Sequence, residues 1–272
     1  MNYKSSDDKC FKCIFLDPLN KDLLSLITKE TIGIELGNIN YLNIEKNITI
    51  ENKRIYLDAL IDTKDYKINY EVYTRCNKYL YPKSTHYNCL SYIEELKVSG
   101  KYSEEEDIIQ INYIYGMRDN KPIRRHTIND GEKNFVKNFI IYEVNMDYYM
   151  YYWYNRINQE NLEYIKQYKY FIMLDLILEE LKELLEITGS DERIEKFMSE
   201  LERVNSSSLF RDFMSKEEDR ILKNTIKDYA IKEGRKEGIL ETAKNMLKDK
   251  LSIETISKYT GLSINEIKSI CL

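Results

Sequence analysis

Between residues 41 and 75 the chain has a period of two. Ile, Tyr, Leu and Val recur on alternate positions, and polar pairs interrupt them near Glu51-Asn52 and Lys64-Asp65. Successive side chains of a strand point to opposite faces, so this pattern predicts about three consecutive strands joined by turns. The next segment, "KSTHYNCLSYIEELKV" at 83–98, predicts a helix ending before Gly100. Two apolar runs, "DIIQINYIYG" at 107–116 and "FIIYEV" within 134–145, predict two more strands. Upstream, residues 9–32 open with an apolar turn and break at Asp17-Pro18. Apolar residues at 23, 24, 26 and 27 then mark a helical face. Helix, strands, helix, strand, strand confines the first 145 or so residues to a mixed α/β core.

From Tyr148 the period changes. Residues 160–204 are written for helices, and 215–248 for one long charged helix that Gly234 and Gly238 weaken. The end of the chain reads as two short helices around Gly261, with Ser252 and Ser263 as N-caps. Their proportions are those of a helix-turn-helix. The second helix carries a single lysine, so a small helical cap or oligomer contact and a DNA reader both stay open. The run "YYMYYWY" at 148–154 points to all faces of any element and is assigned to packing rather than base stacking. The expected organisation is a core at 1–147, a helical region at 148–214, a charged helix at 215–250 and a helical hairpin at 251–272.

A net charge of −5 excludes a general basic coat for nucleic acid but leaves room for a local basic groove. No apolar run approaches the roughly 18–20 residues needed to cross a bilayer, and the N-terminus lacks the basic start and apolar core of a secretory signal. Five irregularly spaced cysteines fit a reducing interior. A cytoplasmic protein without a membrane association is expected.

Within 54–75, "RIYLDALIDTKDYKINYEVYTR", each strand carries an acid inside an apolar or aromatic run: Asp58 and Glu71. An antiparallel pair with a tight turn lets the two approach. Converging carboxylates repel and resist burial, and a divalent cation removes that cost. Mg²⁺ takes one or two carboxylates plus water and substrate phosphate, and such an ion serves phosphodiester hydrolysis. Asp62 falls on the same strand face as Asp58. The competing reading is a pair of ordinary solvent-facing acids. Cys10 and Cys13 have no partner pair for a zinc site, and His86 and His126 have no partners in a hydrolytic triad arrangement.

The chain resembles the PD-(D/E)XK nuclease family transposases, the recombination-promoting nucleases. The resemblance begins at "FKCIFLDPLNKDLLSLI", runs through the acid block at 54–73, "YPKSTHYNCLSY" and "EDIIQINYIYG", and ends in "KEGRKEG…AKNMLKDKLSIETISKYTGLSINEIKSI". It covers essentially the whole chain, and the ordered set rather than any one motif carries it. It implies a restriction-endonuclease-like mixed sheet flanked by helices, followed by an all-helical C-terminal region. It further implies a Mg²⁺- or Mn²⁺-dependent DNA endonuclease whose metal is held by Asp58, Glu71 and the carbonyl of Val72. DNA is the implied partner, with a homodimer as one assembly open to it. The family carries Lys or Gln two residues after the glutamate; here that position is Tyr73, which supplies no positive charge. Lys83 falls where the family has a basic residue on the following helix. A further acid on the N-terminal helix would be Glu30 or Glu35. The alternative is a catalytically degenerate member that binds DNA or a partner protein.

Overall fold

Asp7 starts helix α1 (Asp8–Phe15) by accepting hydrogen bonds from the Lys9 and Cys10 amides. A short 3₁₀ turn over Pro18–Asn20 leads to α2 (Lys21–Ile32), which Gly33 ends in the left-handed region. The segment expected as an apolar turn is thus itself helical. Three antiparallel strands follow, β1 (Ile39–Ile50), β2 (Lys53–Thr63) and β3 (Tyr66–Tyr73). Helix α3 (Leu80–Ser99) then crosses to β4 (Asp107–Ile114), which runs parallel to β3. Strands β5 (Ile123–Asn129) and β6 (Asn134–Asn145) complete a six-stranded sheet in the order β1-β2-β3-β4-β6-β5. The computed structural model describes residues 3–37, 39–50, 53–63, 65–99, 107–117, 119–129, 131–132 and 134–270. Residues 40–50, 53–59, 90, 92–99, 134–138, 217, 218, 221, 222, 228, 232 and 270 are described by their backbone only.

Strand β5, "IRRHTIN", was not expected. It is the edge strand, largely exposed, so it needs no apolar alternation and shows none.

The two faces of the sheet are built differently. One presents Ile61, Ile68, Ile109, Ile111 and Val144 to helices α1 and α2, and all five are buried. Phe11 of α1 meets the Tyr113 ring at 5.9 Å. Thr28 and Thr31 of α2 hydrogen-bond the hydroxyls of Tyr70 and Tyr113 at 2.6 and 3.2 Å, which settles the only polar atoms those rings bring inside. Burial pushes both phenols up in pKa. The opposite face is covered by α3 and is strongly polar. Among the described side chains of α3 the buried ones are Leu80, Ser84, Asn88 and Ser91, a helical stripe of which three members are hydrophilic. Beneath it a chain of amides crosses the strands. Asn69 donates to Gln110 at 2.9 Å, Gln110 to Asn112 at 2.8 Å, and Asn112 to the Ser84 hydroxyl at 2.7 Å.

The chain divides into two compact units, Met1–Ser207 and Ser208–Leu272. Helices α4 (Met146–Tyr154), α5 (Gln159–Ile172), α6 (Leu178–Thr188) and α7 (Glu192–Ser206) belong to the first unit. The reason is packing: α1 meets α7, with the rings of Phe15 and Phe197 stacked at 5.8 Å, and α2 meets α5. The tyrosine run forms α4. Tyr149, Met150 and Trp153 are buried, Tyr149 stacks on Phe171 at 4.3 Å, and Tyr152 stacks on Tyr164 of α5 at 4.6 Å.

In the second unit α8 (Ser208–Lys248) continues through both glycines as one helix. The C-terminal part of α8 packs with α9 (Ile253–Thr260) and α10 (Ile264–Ile270) around buried Ala243, Ile256 and Ile267. Ser252 caps α9, and Gly261 turns the chain between the two short helices at φ 73°. Among the described residues no helix is long and apolar enough to cross a membrane.

Candidate active site

The polar face of the sheet places Glu71 at its centre. The glutamate follows Tyr70 on β3, so its side chain points away from the α1–α2 layer and toward α3. It is fully buried. An isolated carboxylate there would cost several kcal/mol of desolvation. Lys83 meets it from the first turn of α3, with Nζ 2.8 Å from Glu71 Oε2. The Lys83 side chain is partly exposed, so it links the buried acid to the surface. The same ammonium stands 4.9 Å from the ring centroids of both Tyr73 and Tyr87, a cation–π arrangement that fixes it from two sides.

Tyr73 therefore has a place, although not that of a charge donor. It shares the α3 face with Glu71, two residues on. It is buried in a small core with Leu80, Ile114 and Met117, and its ring carries Lys83. The cation absent from the strand at this position arrives from the helix. Asp58 lies on β2 next to Ala59, which pairs with Tyr70, the neighbour of Glu71. The backbone register thus sets Asp58 and Glu71 at adjoining positions, and the Asp58 side chain lies outside the described residues. Val72 pairs with Tyr113 in the parallel ladder. Asp62 stands opposite Lys67, toward the far end of β2.

Neither acid expected from the N-terminal helix joins this group: α2, which carries Glu30, lies on the other face of the sheet, and Glu35 falls beyond the end of α2 at Ile32. Glu30 is half-buried, and burial raises its pKa against the opposing charge of Arg193. Glu35 is exposed and paired with Lys29 at 2.8 Å.

The structure adds a second buried acid that the sequence reading passed over. Glu143 on β6 is 2% exposed. The ladders put it in one transverse row with the first: Glu71 pairs with Asn112, Asn112 with Glu143, and Glu143 with Arg124. Asn112 fills the interval and is itself buried. Arg124 Nη1 and His126 Nε2, both from β5, reach Glu143 Oε2 at 3.5 and 3.0 Å. Arg124 also pairs with Asp119, whose carboxyl the Lys121 amide and Arg124 hold below its ordinary range against some opposing burial. The Glu143 charge raises the phenol of neighbouring Tyr81. A cavity of about 290 Å³ opens beside this group, lined by Tyr81, Ser84, Thr85, His126 and Glu143 among others. The signal was in the sequence: Tyr70-Glu71-Val72 recurs as Tyr142-Glu143-Val144.

Among the described residues no cluster of three His, Cys, Asp or Glu side chains is arranged to hold a metal ion. Cys10 is buried in α1, where burial pushes its thiol well up in pKa, while Cys13 is exposed. The chain matches no family model, no curated protein and no solved structure.

Proposed function

We propose that this chain is a Mg²⁺- or Mn²⁺-dependent DNA endonuclease of restriction-endonuclease-like fold, of the transposase-like, recombination-promoting type. The observation that carries the reading is Glu71: a fully buried carboxylate, one strand from the Asp58 position, held by an ammonium from the next helix. Helix, three-strand meander, helix and parallel fourth strand is an order compatible with such a core. The resemblance in the ordered motifs supports the same reading.

The donor set suits a hard cation by type. Mg²⁺ ordinarily takes only one or two protein carboxylates and fills its remaining positions with water and phosphate. Glu71 and Asp58, with the Val72 carbonyl, are the residues that would hold it. Bound there, the ion would supply Lewis acidity and positive charge at the phosphate. Lys83 would meet a phosphate oxygen from the solvent side, where its side chain is partly exposed. Tyr73 and Tyr87 would keep that ammonium over the acid. A cytoplasmic location and a homodimer belong to the same proposal.

A second reading is a non-catalytic module that binds DNA or a protein partner. The ion pair favours it, since Lys83 already neutralises Glu71 without any metal. Plasmid nicking with Mg²⁺ or Mn²⁺ separates the two. Wild type should nick, and Asp58→Ala and Glu71→Ala should not. Equal nicking by all three, or none by folded wild type with either metal, removes the catalytic reading.

A further inference from the structure

We propose that Arg124 and His126, positioned by Glu143, grip the DNA backbone beside the Glu71 site, which makes edge strand β5 the substrate-positioning element. The inference rests on the nuclease reading and adds where the duplex lies.

Charge is the first ground. In a chain of net charge −5, Lys121, Arg124, Arg125 and His126 fall within six residues. Arg125 alternates to the opposite face of β5, and Asp119 and Glu143 stand against Lys121 and Arg124, so a phosphate on this face would take the place of Asp119 at Arg124. The second ground is placement. β5 ends the sheet, and the Arg124 and His126 side chains are 23% and 46% exposed. The register puts Arg124 and His126 on the same face as Glu71. Three strand spacings separate β3 from β5, roughly 14 Å. That is on the order of four base-pair steps of duplex. Arg124 and His126 would therefore meet phosphates other than the one at Glu71.

Glu143 supplies the third ground. A carboxylate withdrawn from water on a strand next to an edge is costly unless it fixes cations. Here it contacts one nitrogen of Arg124 and one of His126. Arg124 has five N–H donors and imidazole has a second ring nitrogen. The acid holds both groups by charge; Arg124 also gives Nη2 to Asp119 and Nη1 to Met117 Sδ, so a phosphate would compete for Nη2, whereas His126 has a second ring nitrogen to offer. Glu143 is a positioning residue; Arg124 and His126 are the contacts.

Salt-dependent binding is the test. Full-length protein is titrated into a fluorescein-labelled 20-base-pair duplex in EDTA, across a series of salt concentrations, and read by anisotropy. Each phosphate contact contributes about one unit to the slope of log K against log salt. Arg124→Gln should lower the slope by about one and weaken binding several-fold. Arg124→Lys should keep the slope, and Lys29→Gln, on the opposite side of the sheet, should change nothing. Glu143→Gln should weaken binding while leaving Arg124 charged. Half-exposed His126→Gln carries the test if Arg124→Gln fails to fold. Unchanged slopes for Arg124→Gln and His126→Gln, with wild type binding normally, would overturn the clamp and leave the nuclease reading standing. A wild type that binds no duplex yet is stabilised by Mn²⁺ also overturns the clamp. A wild type that neither binds duplex nor responds to Mn²⁺ removes the nuclease reading itself.

Discussion

Lys83→Met should cost more stability than Glu71→Gln, although the two substitutions break the same 2.8 Å contact. The asymmetry follows from exposure. The Glu71 side chain has none, whereas that of Lys83 has 38%. Losing the lysine takes the ammonium from a buried carboxylate, and breaking such a pair usually costs about 3–5 kcal/mol. The partner's partial exposure places the expected loss at the lower end, about 3 kcal/mol. Losing the acid instead leaves an ammonium that can turn to water, and a loss of about 1 kcal/mol is expected. The double variant should resemble Glu71→Gln alone, a coupling of about 3 kcal/mol in the cycle. For a unit of this size, about 3 kcal/mol corresponds to a Tm shift on the order of 6–12 °C. Calorimetry of the four proteins at pH 7 measures it. Mn²⁺ extends the cycle: if Glu71 holds metal, millimolar Mn²⁺ should raise the Tm of Lys83→Met more than that of wild type, and not raise that of the double variant. A Glu71→Gln loss equal to or larger than that of Lys83→Met would refute the reasoning. So would full additivity of the two substitutions.

Two further outcomes follow from polar groups elsewhere in the first unit. Asn112→Ala removes the middle of the amide chain and leaves Gln110 and Ser84 without the partners they have at 2.8 and 2.7 Å; a loss of about 2–3 kcal/mol is expected by urea denaturation, larger than for Asn69→Ala at the chain's end. Asp191 caps α7 and accepts from Lys169 and Tyr170 at 2.5 and 2.8 Å. Burial alone would raise its pKa, but these hydrogen bonds outweigh it and leave the carboxyl lowered from 3.8. A lowered native pKa gives stability that is present above the unfolded value and lost as pH falls through the native one. Asp191→Asn should therefore destabilise by about 1 kcal/mol at pH 7 and close that gap below pH ~4 in acid-titration melts.

Much of the sheet was legible because the alternation over 41–75 and the apolar runs at 107–116 and 139–144 are strand patterns, and β3 and β4 are largely buried. β5 was not, since an edge strand has no partner on one side and tolerates "IRRHTIN". The sidedness of the site was equally hidden. Glu30 and Glu71 are each plausible as acids near a sheet. Only the hydrogen bonds of Thr28 and Thr31 to Tyr70 and Tyr113 put α2 on the face that Glu71 does not use. Lys83 could be named by position, but its contact depends on Tyr73 and Tyr87 flanking the ammonium; in sequence Tyr73 stands out only for the charge it lacks, and Tyr87 reads as ordinary aromatic content. Glu143 had the same local signature as Glu71 and lacked only a second acid on a neighbouring hairpin to draw notice.

The hydrophilic stripe of α3 has a consequence for how the molecule breathes. Helices α1 and α2 leave their face of the sheet only by exposing Phe11, Ile14, Phe15, Leu23 and Leu24 to water. Lifting α3 away at Ser84, Asn88 and Ser91 instead frees hydroxyls and amides that water can satisfy, and among the described residues the apolar group it uncovers is the small core of Tyr73, Leu80, Ile114 and Met117. The amides of α3 should accordingly exchange with solvent at a lower opening free energy than those of α2. The layer that carries Lys83 is then the one that can part from the sheet while the rest of the core stays closed.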